Sequence, residues 1–95
     1  MKSGDYVVIT TNRERRGVFA GTLVEHHDGH CTLNDAHQCI YWSEETKGVF
    51  GLAAIGPQSG SKIGPCIPQI QLDGVTSVAL ASEVARKQWE LEPWS

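Results

Sequence analysis

Alternating apolar and polar positions in the first part of the chain predict a β-meander. Residues 6–11 are rich in β-branched side chains, which is typical of a strand. After a polar break, residues 16–25 alternate between two faces and form the second predicted strand. Gly17 and Gly21 interrupt this strand, and they predict a bend or bulge at which a small barrel could turn a corner.

A tight turn and two shorter strands complete the predicted meander over residues 1–42. Asp28-Gly29 is the strongest hairpin signal in the chain, because both residues accept the positive φ angles of a two-residue turn. A third strand, a further turn and a fourth strand are then expected at residues 30–34, 35–37 and 38–42.

The remainder of the chain mixes helical and extended patterns. Residues 43–68 predict a short helix, weakened by Gly51, and then a long loop rich in Gly, Ser and Pro. Residues 69–95 predict a short edge strand at 70–72, a clear strand at 75–80 and a C-terminal helix capped by Ser82.

This order of elements predicts one small domain that is mainly β (α+β). We expect an antiparallel twisted sheet or partly open barrel of about five to six strands, with a short middle helix and a C-terminal helix that covers one face.

Composition narrows the class of protein. The chain has 95 residues, of which 40% are hydrophobic, and this fraction is too high for a disordered chain. A domain of this size buries only roughly 60–70% of its unfolded surface, so we expect a homo-oligomer. No apolar run approaches the ~20 residues of a membrane span, and we expect no membrane partner. A net charge of −3 argues against general nucleic-acid binding.

The start of the chain and its cysteines bear on location. Residues 1–5 lead directly into an apolar strand, from which we expect no secretory signal and a cytoplasmic protein. The three cysteines are an odd number without CxxC spacing, so we expect reduced thiols. Cys31 and Cys39 lie in strand-like segments and are predicted to be small buried side chains.

Arg13, Arg15 and Arg16 form a positive cluster in an acidic chain and are the first candidate ligand-binding residues. A guanidinium fork bonds two oxygens of a phosphate at once, and turns between strands often carry function. The alternative is a solvated turn that keeps a sheet edge soluble.

Tyr41 and Trp42 are the second candidate. Two adjacent residues of a strand face opposite sides of a sheet, so one ring should be buried and the other should face a groove or a partner subunit. A ring presented to a groove can stack on a nucleobase. The alternative is core packing together with an oligomer contact.

Ser59, Ser61 and Lys62 lie in the Gly/Ser/Pro loop and are the third candidate. Small residues expose backbone N–H groups, hydroxyls add donors and the lysine adds a positive charge, which together can hold an anion. The GxxxxGK[ST] spacing of a phosphate loop is absent, and the alternative is an ordinary flexible loop.

The types and spacings of the residues give little indication of metal binding or catalysis. The four histidines have no CxxC or helical HxxxH context and are interpreted as polar turn residues, the alternative being a zinc site: His26, His27, His30 and His37. No serine lies in a GxSxG setting, although a Cys–His nucleophile pair stays open. We expect no enzyme, no metal and no cofactor.

The sequence resembles two protein families. The segment from Gly17 to Leu23, followed by Asp28-Gly29 and by residues 33–36, resembles the strand pattern of Sm-like ring proteins. The N-terminal helix usual in that family is missing, because residues from Tyr6 onward predict a strand. Its RNA-binding residues do not map onto this chain, so an RNA-binding ring is only an alternative.

The longer resemblance is to a family of small uncharacterised proteins of tailed phages and prophages. It covers a set of short motifs along the chain, namely RGVFAG at residues 16–21, Asn34-Asp35-Ala36 before Ile40-Tyr41-Trp42, a Gly-rich middle, and Pro93-Trp94 after a helix. One departure is His37-Gln38, where basic residues are common. That family has a domain of unknown function, so the resemblance implies a phage context and no activity.

These features lead to one expected function and one rival. We expect an oligomeric counter-defence protein in the cytoplasm of the infected host, which sequesters a small anionic ligand of the cyclic-nucleotide type without chemistry. The arginines would hold phosphate, an aromatic ring would stack on the base, and loop amides would orient the ligand. The rival is a protein-interaction or virion-associated adaptor, in which Trp42 and Trp94 contact a partner.

Overall fold

A computed structural model describes residues 1–12 and 17–91 of the chain. Within these residues the chain forms six strands, which are β1 (Tyr6–Thr11), β2 (Val18–His27), β3 (His30–Tyr41), β4 (Lys62–Ile63), β5 (Ile67–Leu72) and β6 (Val75–Leu80). A 3₁₀ turn at Glu44–Thr46 and two short helices, α1 (Gly51–Ala54) and α2 (Glu83–Trp89), complete the described elements.

The strands form one open antiparallel sheet in the order β4-β3-β2-β1-β6, with β5 also paired to β3. Strand β5 pairs with the first part of β3 and β4 with its last residues. Strands β5 and β6 lie at opposite edges of this sheet, yet only Asp73 and Gly74 separate them in the chain. The sheet must therefore curl until its two edges approach each other. The predicted mainly β fold with two short helices is confirmed.

Each face of the curled sheet carries its own apolar cluster. Alternation along β1 sends Val7 and Ile9 to the inner face, where side chains from β2, β3, β5 and β6 meet them. Tyr6 and Val8 point to the outer face, against the two helices and β4. All four side chains are buried, because neither face of β1 is left to solvent.

The helices are fixed to the outer face by Trp89. Its side chain is fully buried, and its indole N–H donates to the carbonyl of Leu52 over 2.9 Å. The hydroxyl of Ser82 accepts a hydrogen bond from the backbone N–H of Ala85 at 3.0 Å, so the predicted cap of the C-terminal helix is confirmed.

The predicted turn at residues 35–37 is wrong, because β3 runs unbroken through it. Between the pairs Thr22–Asn34 and Ala20–His37, β3 contains one more residue than β2, and this extra residue forms a bulge. Asp35 accommodates the bulge with φ of 49°, a conformation that aspartate tolerates. The residues that resembled a turn therefore bend a continuous strand, and His37 is buried in it.

The region predicted as one loop from residue 56 to residue 68 is also more ordered than expected. It contains the two-residue strand β4, and the edge strand predicted at residues 70–72 begins earlier, at Ile67. The predicted Asp28-Gly29 hairpin is confirmed, with φ of 48° and 77° at these two residues.

Candidate functional site

A cavity of about 460 Å³, which we call the Trp42 cavity, opens near the end of β1. The residues that line it come from β1, β2, β6 and the segment after β3, and they are Thr10, Thr11, Asn12, Gly17, Val18, Trp42, Val49 and Thr76. The indole and the valines give it apolar walls, and the threonine hydroxyls add polar groups at the rim.

Backbone and side-chain contacts fix the wall beside β1. Thr11 N–H donates to the carbonyl of Gly17 at 2.9 Å, and Gly17 N–H donates to the hydroxyl of Thr11 at 3.1 Å. A Cβ on Gly17 would overlap the ring of Phe19 and lie 3.0 Å from the Thr11 hydroxyl. A larger residue at this position would therefore require the Phe19 ring to move.

The predicted arginine cluster lies outside the described residues, because Arg13, Arg15 and Arg16 belong to the segment between 12 and 17. Asn12 and Gly17 directly flank this segment, and both line the Trp42 cavity. The two described residues on either side of the arginine segment therefore both lie at the Trp42 cavity.

The two adjacent aromatic residues have different environments, as strand alternation predicted. Trp42 is half-buried, packs against the outer apolar cluster and lines the cavity. Tyr41 is 55% exposed and pairs with Lys62 of β4. Of the two candidate rings, the structure brings only Trp42 to the cavity wall.

The third candidate group does not reach the Trp42 cavity. Ser59 and Lys62 are exposed, whereas Ser61 is fully buried. The Ser61 hydroxyl accepts from Ser43 N–H at 3.0 Å and lies 3.4 Å from the Thr46 hydroxyl. Ser61 therefore anchors its own loop to the segment after β3 and presents no donor to a ligand.

A second, smaller pocket of about 260 Å³ lies at the other end of β1, and we call it the Tyr6 pocket. Its lining contains polar and ionisable side chains of several types, and these are Tyr6, Thr22, Asp35, His37, Cys66, Arg86 and Glu90.

Contacts among these residues leave one polar atom unpaired. The Arg86 guanidinium carbon lies 5.4 Å from the centre of the Tyr6 ring, and Arg86 Nε donates to Glu90 Oε1 at 2.7 Å. His37 Nδ1 donates to the carbonyl of Gly64 at 2.9 Å. The buried Tyr6 hydroxyl has no hydrogen-bond partner among the described residues.

Little in the sequence indicates the Tyr6 pocket. Its side chains come from β1, β2, the β3 bulge, the residue before β5 and the C-terminal end of α2. The four-residue spacing of Arg86 and Glu90 predicts a helical ion pair, which the structure contains. Nothing in the spacing relates this pair to Tyr6, because the bulge and the docking of α2 bring them together.

The histidines are dispersed rather than convergent. The rings of His27 and His30 face each other across the hairpin with centres 6.1 Å apart, and His30 pairs with Asp73. In residues 1–12 and 17–91, no three His, Cys, Asp or Glu side chains form a group that could hold a metal ion. Across the same ranges, no helix is long and apolar enough to cross a membrane.

The three cysteines differ sharply in accessibility, so we expect Ellman's reagent to titrate one thiol rapidly in the folded protein. Burial raises the pKa of the Cys39 thiol to about 11 and also raises that of Cys31, whereas Cys66 is exposed. Cys66→Ser should abolish the fast phase, and denaturant should release the other two thiols. Three equally fast thiols in the folded protein would contradict this burial.

The comparisons with known proteins identify a family but no function. No curated protein and no solved structure matches the chain. A family model described as a domain of unknown function (DUF6948) matches residues 4–89, which includes every strand and helix described above. The chain therefore belongs to this family of domains of unknown function, DUF6948.

Proposed function

We propose that the Trp42 cavity binds a small anionic ligand of the nucleotide type and holds it without chemical change. One observation carries the proposal: Trp42 lines the same cavity as Asn12 and Gly17, the two residues that flank the arginine segment. Trp42 and the two residues on either side of the arginine segment thereby lie at one cavity, although Trp42 is 26 positions after Arg16 in the sequence.

The dimensions and chemistry of the cavity suit such a ligand. Its volume of about 460 Å³ falls within the roughly 300–1,000 Å³ that is typical of small-molecule sites. A nucleobase would stack on the Trp42 indole, which accepts any base because every base has a π face. Arginines at the rim would bond the phosphate oxygens in pairs.

The biological setting is part of the same proposal. The resemblance to small tailed-phage proteins suggests a phage protein that acts in the cytoplasm of the infected host. A tightly held but unmodified nucleotide would be withdrawn from an immune signalling pathway, so the proposed role is counter-defence. An assembly of several copies would enclose the open side of the cavity and slow release of the ligand.

Isothermal titration calorimetry against a panel of cyclic nucleotides tests the proposal. We expect saturable binding and recovery of the unmodified nucleotide. Trp42→Ala and Arg15→Ala should each weaken binding about tenfold or more, because base stacking and charge-assisted hydrogen bonds are each worth roughly 1–3 kcal/mol.

Lys87→Ala is the matched control, because Lys87 is an exposed cation of α2 that does not line the Trp42 cavity. It should leave the affinity unchanged and so separate a specific arginine contact from a general charge effect. An absence of heat across the panel, or equal affinity of the arginine and lysine variants, would overturn the proposal.

A second candidate is a protein-interaction or virion-associated adaptor. It is favoured by Ile40 and Tyr41, which are consecutive large side chains with exposed fractions of 64% and 55%. Purification of the tagged protein from infected cells would distinguish the two functions. A stoichiometric protein partner that is lost with Tyr41→Ala supports the adaptor, and a co-purified nucleotide without such a partner supports sequestration.

A further inference from the structure

The Tyr6 pocket is spatially separate from the Trp42 cavity, because Tyr6 begins β1 whereas Thr10 and Thr11 end it. Its walls join an aromatic hydroxyl, an imidazole, two carboxylates and a guanidinium within about 260 Å³. The proposed nucleotide site uses none of these groups, so any role of the pocket is independent of that function.

Tyr6 lines the pocket, and its hydroxyl oxygen is buried. Its pKa is raised above the ordinary value by burial and then by the carboxylate of Glu90, with smaller increases from Cys66 and Asp35, while Arg86 lowers it. All four of these charged or ionisable neighbours line the Tyr6 pocket. The hydroxyl therefore stays protonated, and the charges of the lining groups act on it.

Two carboxylates but one guanidinium line the pocket around this hydroxyl. The field of Glu90 acts on it more strongly than that of Arg86, and Asp35 adds to the effect of Glu90. Arg86 is already engaged, through Nε with Glu90 and through its guanidinium with the Tyr6 ring. No described Lys, Arg or His side chain forms an ion pair with Asp35. With two carboxylates and one guanidinium, the lining has one negative charge that no guanidinium compensates.

Three side chains of the lining can also accept a hydrogen bond from a ligand. Tyr6 is 6% exposed, and its hydroxyl oxygen has no hydrogen-bond partner among the described residues. In the neutral tautomer in which Nδ1 donates to Gly64, His37 Nε2 is an acceptor. The carboxylate of Asp35 completes a set of three acceptors from β1 and β3.

We propose that the Tyr6 pocket binds a small organic cation with N–H donors, namely a primary ammonium compound such as a short alkylamine. The ammonium group donates to the Tyr6 oxygen, to His37 Nε2 and to a carboxylate, which satisfies the buried hydroxyl and the excess negative charge together. The small volume restricts the carbon chain to a few atoms. An anion is disfavoured because two carboxylates line the site.

Nuclear magnetic resonance tests the proposal with uniformly ¹⁵N-labelled full chain and n-propylammonium chloride at constant ionic strength. We expect saturable amide shifts at Tyr6, Asp35 and His37. Tetramethylammonium chloride is the control ligand, because it has the same charge but no N–H donor. It should cause no saturable shift at these residues.

Tyr6→Phe is the decisive variant because it removes only the hydroxyl oxygen. We expect it to weaken n-propylammonium binding about tenfold or more, as for loss of a hydrogen bond to a charged group. Its melting temperature should equal or exceed that of the unchanged protein, because the lost hydroxyl is buried without a partner. Lost binding would then not reflect unfolding.

Two further variants make the outcomes unambiguous. Asp35→Asn removes a charge while asparagine tolerates the positive φ of the bulge, and it should also weaken binding. Tyr41→Phe removes a hydroxyl outside the pocket and should have no effect. The proposal is overturned if the shifts do not saturate, if tetramethylammonium reproduces them, or if Tyr6→Phe binds as tightly as the unchanged protein.

Discussion

Replacement of Trp89 by alanine is expected to lower the free energy of unfolding by about 3–5 kcal/mol, the largest effect of any single substitution considered for this chain. Trp89 is fully buried and is the largest such side chain of the described residues. It packs in the outer apolar cluster with Leu52 of α1 and Tyr6 of β1. Loss of the indole would leave a cavity between the two helices and the sheet.

Urea unfolding followed by circular dichroism measures this change, and Trp89→Phe separates its two components. Phenylalanine keeps most of the apolar volume but leaves the Leu52 carbonyl without its indole donor, so it should cost less than alanine. Val84→Ala on the same helix is the matched control, because Val84 is 62% exposed and should change stability little. Equal stabilities of the Trp89→Ala and Val84→Ala proteins would refute this account of the outer cluster.

The elements that were correctly predicted are those whose signals are local. The β-branched run of β1, the Asp28-Gly29 turn and the Ser82 cap each act within a few residues, and the structure contains all three. The pattern around Asp35 failed because aspartate at positive φ serves equally well in a turn and in a bulge. Pairing with β2 and β5 decides between them, and this pairing is not local.

In the candidate site, too, local features could be predicted from the sequence and long-range ones could not. The chemical types of Trp42 and the arginines could be identified from the sequence. That Trp42 shares a cavity with Asn12 and Gly17 could not, because this depends on the approach of β2 to β1 at Gly17. Ser61 and Ser59 have the same chemistry and neighbouring positions. One is buried in a hydroxyl cluster with Ser43 and the other is exposed, a difference that only the path of the loop determines.

The close approach of Thr46 to α1 explains why residue 51 is a glycine. On propensity alone, Gly51→Ala should stabilise α1 by about 1 kcal/mol, because alanine is the better helix former. In the structure, however, a Cβ on Gly51 would overlap the carbonyl oxygen of Thr46 and lie 2.7 Å from its carbonyl carbon. Thr46 cannot easily yield, because it is fully buried and its hydroxyl accepts from Gln58 N–H at 3.2 Å.

We therefore expect Gly51→Ala to reverse the sign that helix propensity predicts, lowering the free energy of unfolding by about 1–3 kcal/mol through overpacking against the backbone. Thermal and urea unfolding measure the change. Gly64→Ala is the control, since its φ is not positive and a Cβ there would meet its nearest atom, the Gln38 carbonyl oxygen, at an ordinary contact distance of 3.5 Å. A Gly51→Ala protein at least as stable as the unchanged chain would mean that α1 does not lie against Thr46. The segment after β3, which supplies Trp42 and Val49 to the cavity wall, would then need a different path.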